Sequence, residues 1–217
     1  MKKLAIFDLD GTLLYTLEDL HASTNFALES EGLPKRSLDE VRRFVGNGIR
    51  KLIERAVPDG CAPDVTDRVF AAFKRHYAEN CIVLTRPYPG IPEMLDALKA
   101  RGWQLGVVSN KADEPVKALI AHYFPGVFDS VVGERENVRK KPAPDSVFET
   151  VGSLGCDIGQ AVYIGDSDVD GQTAANAGCD CILVAWGFRG RETLLPFGCP
   201  IADSTDELLN ILTEGEK

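Results

Sequence analysis

No stretch of this 217-residue chain approaches the roughly 18 uninterrupted apolar residues that a membrane-spanning helix needs. Basic residues are also short: 24 Lys and Arg against 33 Asp and Glu leave a formal charge of −9. Such a surface repels phosphate backbones and anionic headgroups, so neither nucleic acid nor a membrane is an expected partner. Histidine is scarce, and His21, His76 and His122 sit far apart on predicted helices, each read as a partly exposed helix-face residue; a His-based triad has no support. There is no G-x-x-x-x-G-K-[ST], no G-x-S-x-G and no G-x-G-x-x-G, and there are no internal repeats or low-complexity segments. The start Met1-Lys2-Lys3 resembles a signal-peptide n-region, but the apolar run from Leu4 meets Asp8 and no cleavage site follows. The cytoplasm is the expected location. The six cysteines match no standard zinc spacing and are expected to be reduced, buried thiols.

What is present is a regular alternation. Leu4 to Phe7, Leu105 to Val108, Ser130 to Val132, Ala161 to Ile164 and Ile182 to Val184 read as buried strands of a parallel sheet. Between them lie helix-length segments at Ile91 to Arg101, Glu114 to Tyr123 with Asp113 as N-cap, Asp145 to Leu154 and Asp168 to Ala177, several stopped by glycine. Ser204 to Glu207 is a capping box ahead of a last helix. The pattern predicts an α/β fold with a doubly wound, mostly parallel sheet. It breaks once, because residues 17–78 hold helices only: Leu17 to Ser30, Leu38 to Phe44, Gly48 to Ala56 and Val65 to Ala78. An inserted helical bundle domain over 16–85 is expected, with 1–15 and 86–217 forming the core domain.

Candidate chemistry gathers at the predicted strand ends, where ligands bind doubly wound sheets. Asp8-Leu9-Asp10-Gly11-Thr12 follows the first strand, Ser109 and Asn110 the second, and Asp166-Ser167-Asp168-Val169-Asp170 the run Tyr163-Ile164; Lys141 lies in Lys140-Lys141-Pro142-Ala143-Pro144-Asp145. Singly, each reads equally well as a turn, a helix cap or a solvated charge. Four such groups at equivalent ends are a much rarer coincidence than one.

These residues resemble the four motifs of the haloacid dehalogenase superfamily of phosphohydrolases, whose core is Rossmann-like and carries a helical cap inserted after the first motif. The resemblance spans essentially the whole chain. It implies that Asp8 is the nucleophile, forming a phosphoaspartyl intermediate, and that Asp10 is the acid and base that separates phosphatases from dehalogenases. It implies further that Ser109, Asn110 and the backbone of Gly11 and Thr12 hold phosphoryl oxygens and that Lys141 offsets charge. Asp19-Leu20, Asn25, Phe44-Val45-Gly46-Asn47-Gly48 and Leu52 to Ala56 are similar to bacterial phosphoglycolate phosphatases. Tyr15 stands where relatives commonly have Asp, and Ser109 where Thr is frequent.

Physical chemistry asks for a metal as well. Asp8, Asp10, Asp166 and Asp170 would together repel a phosphate dianion, each close pair by about 4 kcal/mol at an effective dielectric near 20, and one lysine cannot cancel that. All-oxygen ligands point to Mg2+, with Asp8, Asp10 through its carbonyl, Asp166 and Asp170 as the metal set. Asp168 is expected to face solvent or cap the following helix. The stretch Asp166 to Gly171 copies half of an EF-hand loop, but position twelve is Ala177 instead of Glu. Over the site, the bundle would close as a lid, with Gly46, Asn47 and Gly48 offering helix N-terminal amides to a small anion and Arg43, Arg50 and Lys51 close by in sequence. The expected activity is Mg2+-dependent hydrolysis of a small phosphate monoester, 2-phosphoglycolate first, by a monomer or homodimer. The alternatives are a β-phosphoglucomutase-like mutase, a pyrophosphatase or nucleotidase, and a silent binding protein on the same fold. The mutases carry a cap His where this chain has Leu20, with His21 one position off.

Overall fold

The computed structural model describes residues 4–214; the Met1-Lys2-Lys3 start lies outside them. The chain divides into two compact units, one running through Leu14 and resuming at Pro87, the other spanning Tyr15–Arg86.

The first unit is built on a six-stranded sheet. Its strands are β1 (Leu4–Phe7), β4 (Gln104–Ala112), β5 (Ser130–Glu134), β6 (Ala161–Gly165), β7 (Asp180–Val184) and β8 (Ile201–Ala202), numbered to leave β2 (Leu14–Tyr15) and β3 (Arg86–Pro87) for a two-stranded ribbon where the chain passes between units. The order is β5-β4-β1-β6-β7-β8 and every pairing is parallel. β1 is therefore central, with later strands added first on one side and then on the other. That reversal opens the crevice in which such sheets bind ligands. Five helices belong to this unit's main body: α5 (Ile91–Ala100), α6 (Asp113–Tyr123), α7 (Asp145–Ser153), α8 (Asp168–Ala177) and α10 (Thr205–Thr213), with a short α9 (Arg191–Leu194) before β8.

The near-continuous apolar runs of the strands follow from coverage on both faces. α7 and α8 pack Val147, Val151, Ala174 and Ala177 against Leu4, Ile6, Val108 and Tyr163. The alternate residues Ala5, Phe7, Leu105 and Val107 are equally buried, as a parallel sheet sandwiched between helices requires.

The second unit is all helix apart from the ribbon: α1 (Leu17–Ser30), α2 (Leu38–Phe44), α3 (Ile49–Ala56) and α4 (Pro63–Asn80). Ser37 caps α2 through a reciprocal box with Glu40. Asp19 is buried in α1 and accepts the backbone N–H groups of Leu84 (3.0 Å) and Thr85 (2.8 Å), fixing the chain where it leaves the bundle.

Several local expectations change. β4 continues four residues past Val108, with its register against β5 shifting between Val108 and Ala112, so Ser109-Asn110-Lys111 is a bulged strand end and not a loop. Asp113 is the first residue of α6, whose N-cap position falls to Ala112 with no side-chain cap, and Asp113 instead accepts from Gly133 N–H at 2.9 Å and pairs with Lys117. Ser167 caps α8, and Asp168, its first residue, faces solvent as one of its two expected roles has it. Glu207 donates its N–H to Ser204, but its carboxylate reaches Asp203 N–H, so the last helix has half of the expected box. None of the six cysteines is in a disulfide, yet only Cys81 is buried; the other five are half-buried, because they sit at strand ends and loops. β2, β3 and β8 were too short to show as apolar runs.

Candidate active site

β1 ends at Phe7, one residue before Asp8, and neighbouring strands and their loops bring the other candidates to Asp8. Asp8, Asp166 and Asp170 each offer a carboxylate oxygen within 4.8 Å of the others, all three buried. Lys141, from the connection between β5 and α7, places Nζ 2.8 Å from Asp8 Oδ1 and 2.8 Å from Asp170 Oδ1. It also donates to the Tyr163 hydroxyl at 3.0 Å, and that hydroxyl donates to Val108 O at 3.2 Å. An ammonium 3% exposed between two carboxylates is held in one position from three sides.

Burial dominates the electrostatics. It pushes the Asp8 carboxyl up from 3.8 to about 7, against the attraction of Lys141 and with the repulsion of Asp170. Asp166 is raised well above the carboxylate range, by burial and then by Asp170 and Asp8. Lys141, although desolvated, is held above its ordinary 10.5 by Asp170 and Asp8. Burial also lifts the Tyr163 hydroxyl. Three acids around a single ammonium leave carboxylates short of positive charge. An all-oxygen cluster of this kind fits a hard divalent cation, with Asp8, Asp166 and Asp170 the residues able to hold one.

The packing behind the cluster leaves no spare room. A Cβ on Gly11 would lie 2.4 Å from Asp166 Oδ2, and Gly11 has φ +87°; one on Gly187 would lie 2.2 Å from Asp166 Cβ. Asp166 Oδ2 accepts from Phe188 N–H at 2.6 Å. Asp170 Oδ2 accepts from the Ser167 hydroxyl and N–H, which leaves Oδ1 for Lys141.

Asp10, Ser109, Asn110, Gly11 and Thr12 stand beside this cluster with partners the sequence did not announce. The Asp10 carboxylate accepts from Lys111 Nζ at 2.9 Å through both oxygens, a pair of which the lysine is 2% exposed. Lys111 is a side chain at the cluster that sequence reading missed. No local pattern announces it, because β4 past Val108 carries a register shift that breaks the simple strand period. Ser109 Oγ accepts from Lys111 N–H at 3.2 Å and keeps its own O–H. The Asn110 side-chain amide takes Lys141 N–H (2.8 Å) and gives to Lys141 O (3.0 Å), anchoring the lysine's backbone. Gly11 N–H and Thr12 N–H, expected to face phosphoryl oxygens, close the turn on Leu14 O (2.9 Å) and Leu9 O (3.3 Å).

Gly46, Asn47 and Gly48 belong to the other unit. Arg55 holds that loop, donating to Phe44 O at 2.7 Å and Asn47 Oδ1 at 2.8 Å, and Gly48 is the N-cap of α3. Arg50 and Lys51 both pair with Glu54, Arg50 also with Asp67. His21 sits within hydrogen-bond reach (2.9 Å) of Arg36 O.

Fold and site together define an α/β enzyme core with strand-end carboxylates gathered around a buried lysine. The model of the haloacid dehalogenase-like hydrolase family matches residues 5–184, and the chain belongs to that family. Among its relatives, the phosphoglycolate phosphatase of Aquifex aeolicus is 35% identical over 195 residues, covering 89% of this chain and 90% of that one. The crystal structure of an inferred phosphoglycolate phosphatase from Lactobacillus delbrueckii subsp. bulgaricus superposes with a TM-score of 0.92 at 36% identity, over 98% of this chain and 99% of that one. CbbY from Rhodobacter sphaeroides, crystallised with phosphate, superposes with a TM-score of 0.76 at 25% identity, over 96% of each chain. No helix among the described residues is long and apolar enough to cross a membrane.

Proposed function

We propose that the protein is a Mg2+-dependent phosphatase that hydrolyses a small phosphate monoester, with 2-phosphoglycolate the preferred substrate. The observation that carries this reading is Lys141 bridging Asp8 and Asp170 at 2.8 Å inside a three-carboxylate cluster. Hydrolysis of a phosphate monoester needs little covalent help and much alignment and charge neutralisation, which is what such a site offers. The Aquifex aeolicus relative supports the substrate, and the phosphate-bound CbbY supports the ligand class.

In this reading an Asp8 oxygen attacks phosphorus in line with the ester oxygen. The P–O ester bond breaks, and Asp10 gives its proton to the departing alkoxide. Water then attacks the aspartyl phosphate with its proton passing to Asp10, releasing phosphate and restoring Asp8. Lys141 keeps Asp8 aimed and offsets charge at the phosphoryl group. Ser109 donates its remaining O–H to a phosphoryl oxygen, and Lys111 orients Asp10. Asp8, the Asp10 carbonyl, Asp166 and Asp170 would hold Mg2+, which supplies the positive charge that one lysine lacks. The helical unit, residues 15–86, would act as the cap, with Gly46, Asn47 and Gly48 reading the substrate's leaving group. A structural use for His21, on Arg36 O, favours hydrolase over mutase.

A panel of phosphoglycolate, sugar phosphates, nucleotides and pyrophosphate with millimolar Mg2+ tests this directly. Phosphoglycolate should be turned over with the highest kcat/KM and Asp8→Asn should be inactive but folded. A preference for pyrophosphate or nucleotides would replace the substrate assignment, and an active Asp8→Asn protein would remove the nucleophile.

A further inference from the structure

Away from the carboxylate cluster, the sheet edge formed by β7 and β8 carries a group of thiols that the phosphatase reading does not use. Leu183 pairs with Ile201 and Val184 with Ala202 in parallel register, and Leu183 N–H donates to Pro200 O at 2.9 Å. Continued two residues back, the same register sets Cys181 opposite Cys199. Paired strands lie about 4.8 Å apart, inside the roughly 4.4 to 6.8 Å between Cα atoms that a disulfide spans. Because side chains alternate along a strand, both sulfurs fall on one face, close enough for each thiol to perturb the acidity of the other.

Both cysteines are half-buried and both line a cavity of about 690 Å³, together with Cys179, Trp103 and Phe197. Asp180 and Glu214 stand in its wall, so it disfavours anionic oxidants and admits small neutral ones. We propose that Cys181 and Cys199 form an oxidation site at which a hydroperoxide entering this cavity converts the two thiols into a disulfide.

The Cys199 sulfur is the attacking one. The Cys181 thiol beside it, joined by the backbone N–H groups of Cys199 and Leu183, brings the Cys199 thiol from 9.0 down to about 7, against its burial. Cys181 is pushed up in turn. A Cys199 thiolate displaces one peroxide oxygen: an S–O bond forms, the O–O bond breaks and, with one proton taken up, an alcohol or water leaves. The Cys181 sulfur then attacks the Cys199 sulfenic acid; the S–S bond forms, the S–O bond breaks, and hydroxide departs as water with the Cys181 proton. The thiols lose two electrons and two hydrogens, and the peroxide gains them. A dithiol reverses the change by exchange.

The test is titration of the full chain with hydrogen peroxide, followed by alkylation, digestion without reductant and mass spectrometry. The expected product has lost two hydrogens, links the Cys181 and Cys199 peptides, and is restored by dithiothreitol; Cys181→Ser should stop at a Cys199 sulfenic acid captured by dimedone. Linkage of Cys179 to either partner, over-oxidation of Cys199 to sulfinic acid with no linkage, or no change at peroxide concentrations that oxidise free glutathione would each overturn it.

Discussion

Lys141 is the side chain on which the site's charge balance turns. Its replacement by methionine keeps most of the volume and removes the cation that, among the described residues, touches both Asp8 and Asp170. Removing one partner of a buried ion pair typically costs about 3 to 5 kcal/mol, so Lys141→Met is expected to unfold at markedly lower urea and to lose kcat more than it raises KM. Asp8 makes the opposite prediction for stability. A carboxyl that holds its proton more tightly folded than unfolded costs nothing below its ordinary 3.8; the cost builds as pH rises through about 7 and is fully present above that. Metal-free Asp8→Asn should therefore match the parent near pH 4 and exceed it near pH 8, by on the order of 4 kcal/mol at most, as read from urea midpoints at the two pH values. Asp8, Asp166 and Lys141 were legible from strand-end position and motif. Lys111, Gly187 and Phe188 were not, since their part in the site depends on which backbone passes beside Asp10 and Asp166.

At the scale of elements, two helix starts with the same chemistry do different work. Ser37 and Glu40 cap α2 at the surface, where Ser37→Ala should cost about 1 kcal/mol. Ser167 caps α8 with Asp170, and there the same carboxylate also holds Lys141. Ser167→Ala leaves a buried carboxylate oxygen short of a donor, so about 2 kcal/mol is expected, with a fall in kcat that Ser37→Ala does not show. Thermal melts and steady-state rates on the two variants separate these outcomes. Helices were read from sequence nearly to their ends, α1, α2 and α8 without error, because their periodicity and caps are local. β4 was read one residue short at its start and four short at its end, because a polar strand end with a shifted register is defined by partners distant in sequence, β5 and Lys141.

For the whole molecule, a −9 chain that gathers three buried acids at one point should be stabilised by a hard cation. Ligand at about 100 times its Kd adds about 2.7 kcal/mol, and at roughly 2 to 4 °C per kcal/mol for a chain of this size saturating Mg2+ should raise Tm by several degrees. EDTA should reverse the rise and Asp166→Asn should abolish it in differential scanning calorimetry; an equal rise in Asp166→Asn would place the cation elsewhere.

By itself the sequence determined the alternation of strands and helices, the interruption by a run of helices, and the carboxylate-rich strand ends. These follow from hydrophobic period, caps and turn residues, all properties of neighbours along the chain. Only the tertiary structure decided that Asn110 anchors Lys141, that Lys111 answers Asp10, and that the β7–β8 register sets Cys181 opposite Cys199. Strand order and register bring those partners together across long stretches of chain, and no local pattern of residues encodes that distance.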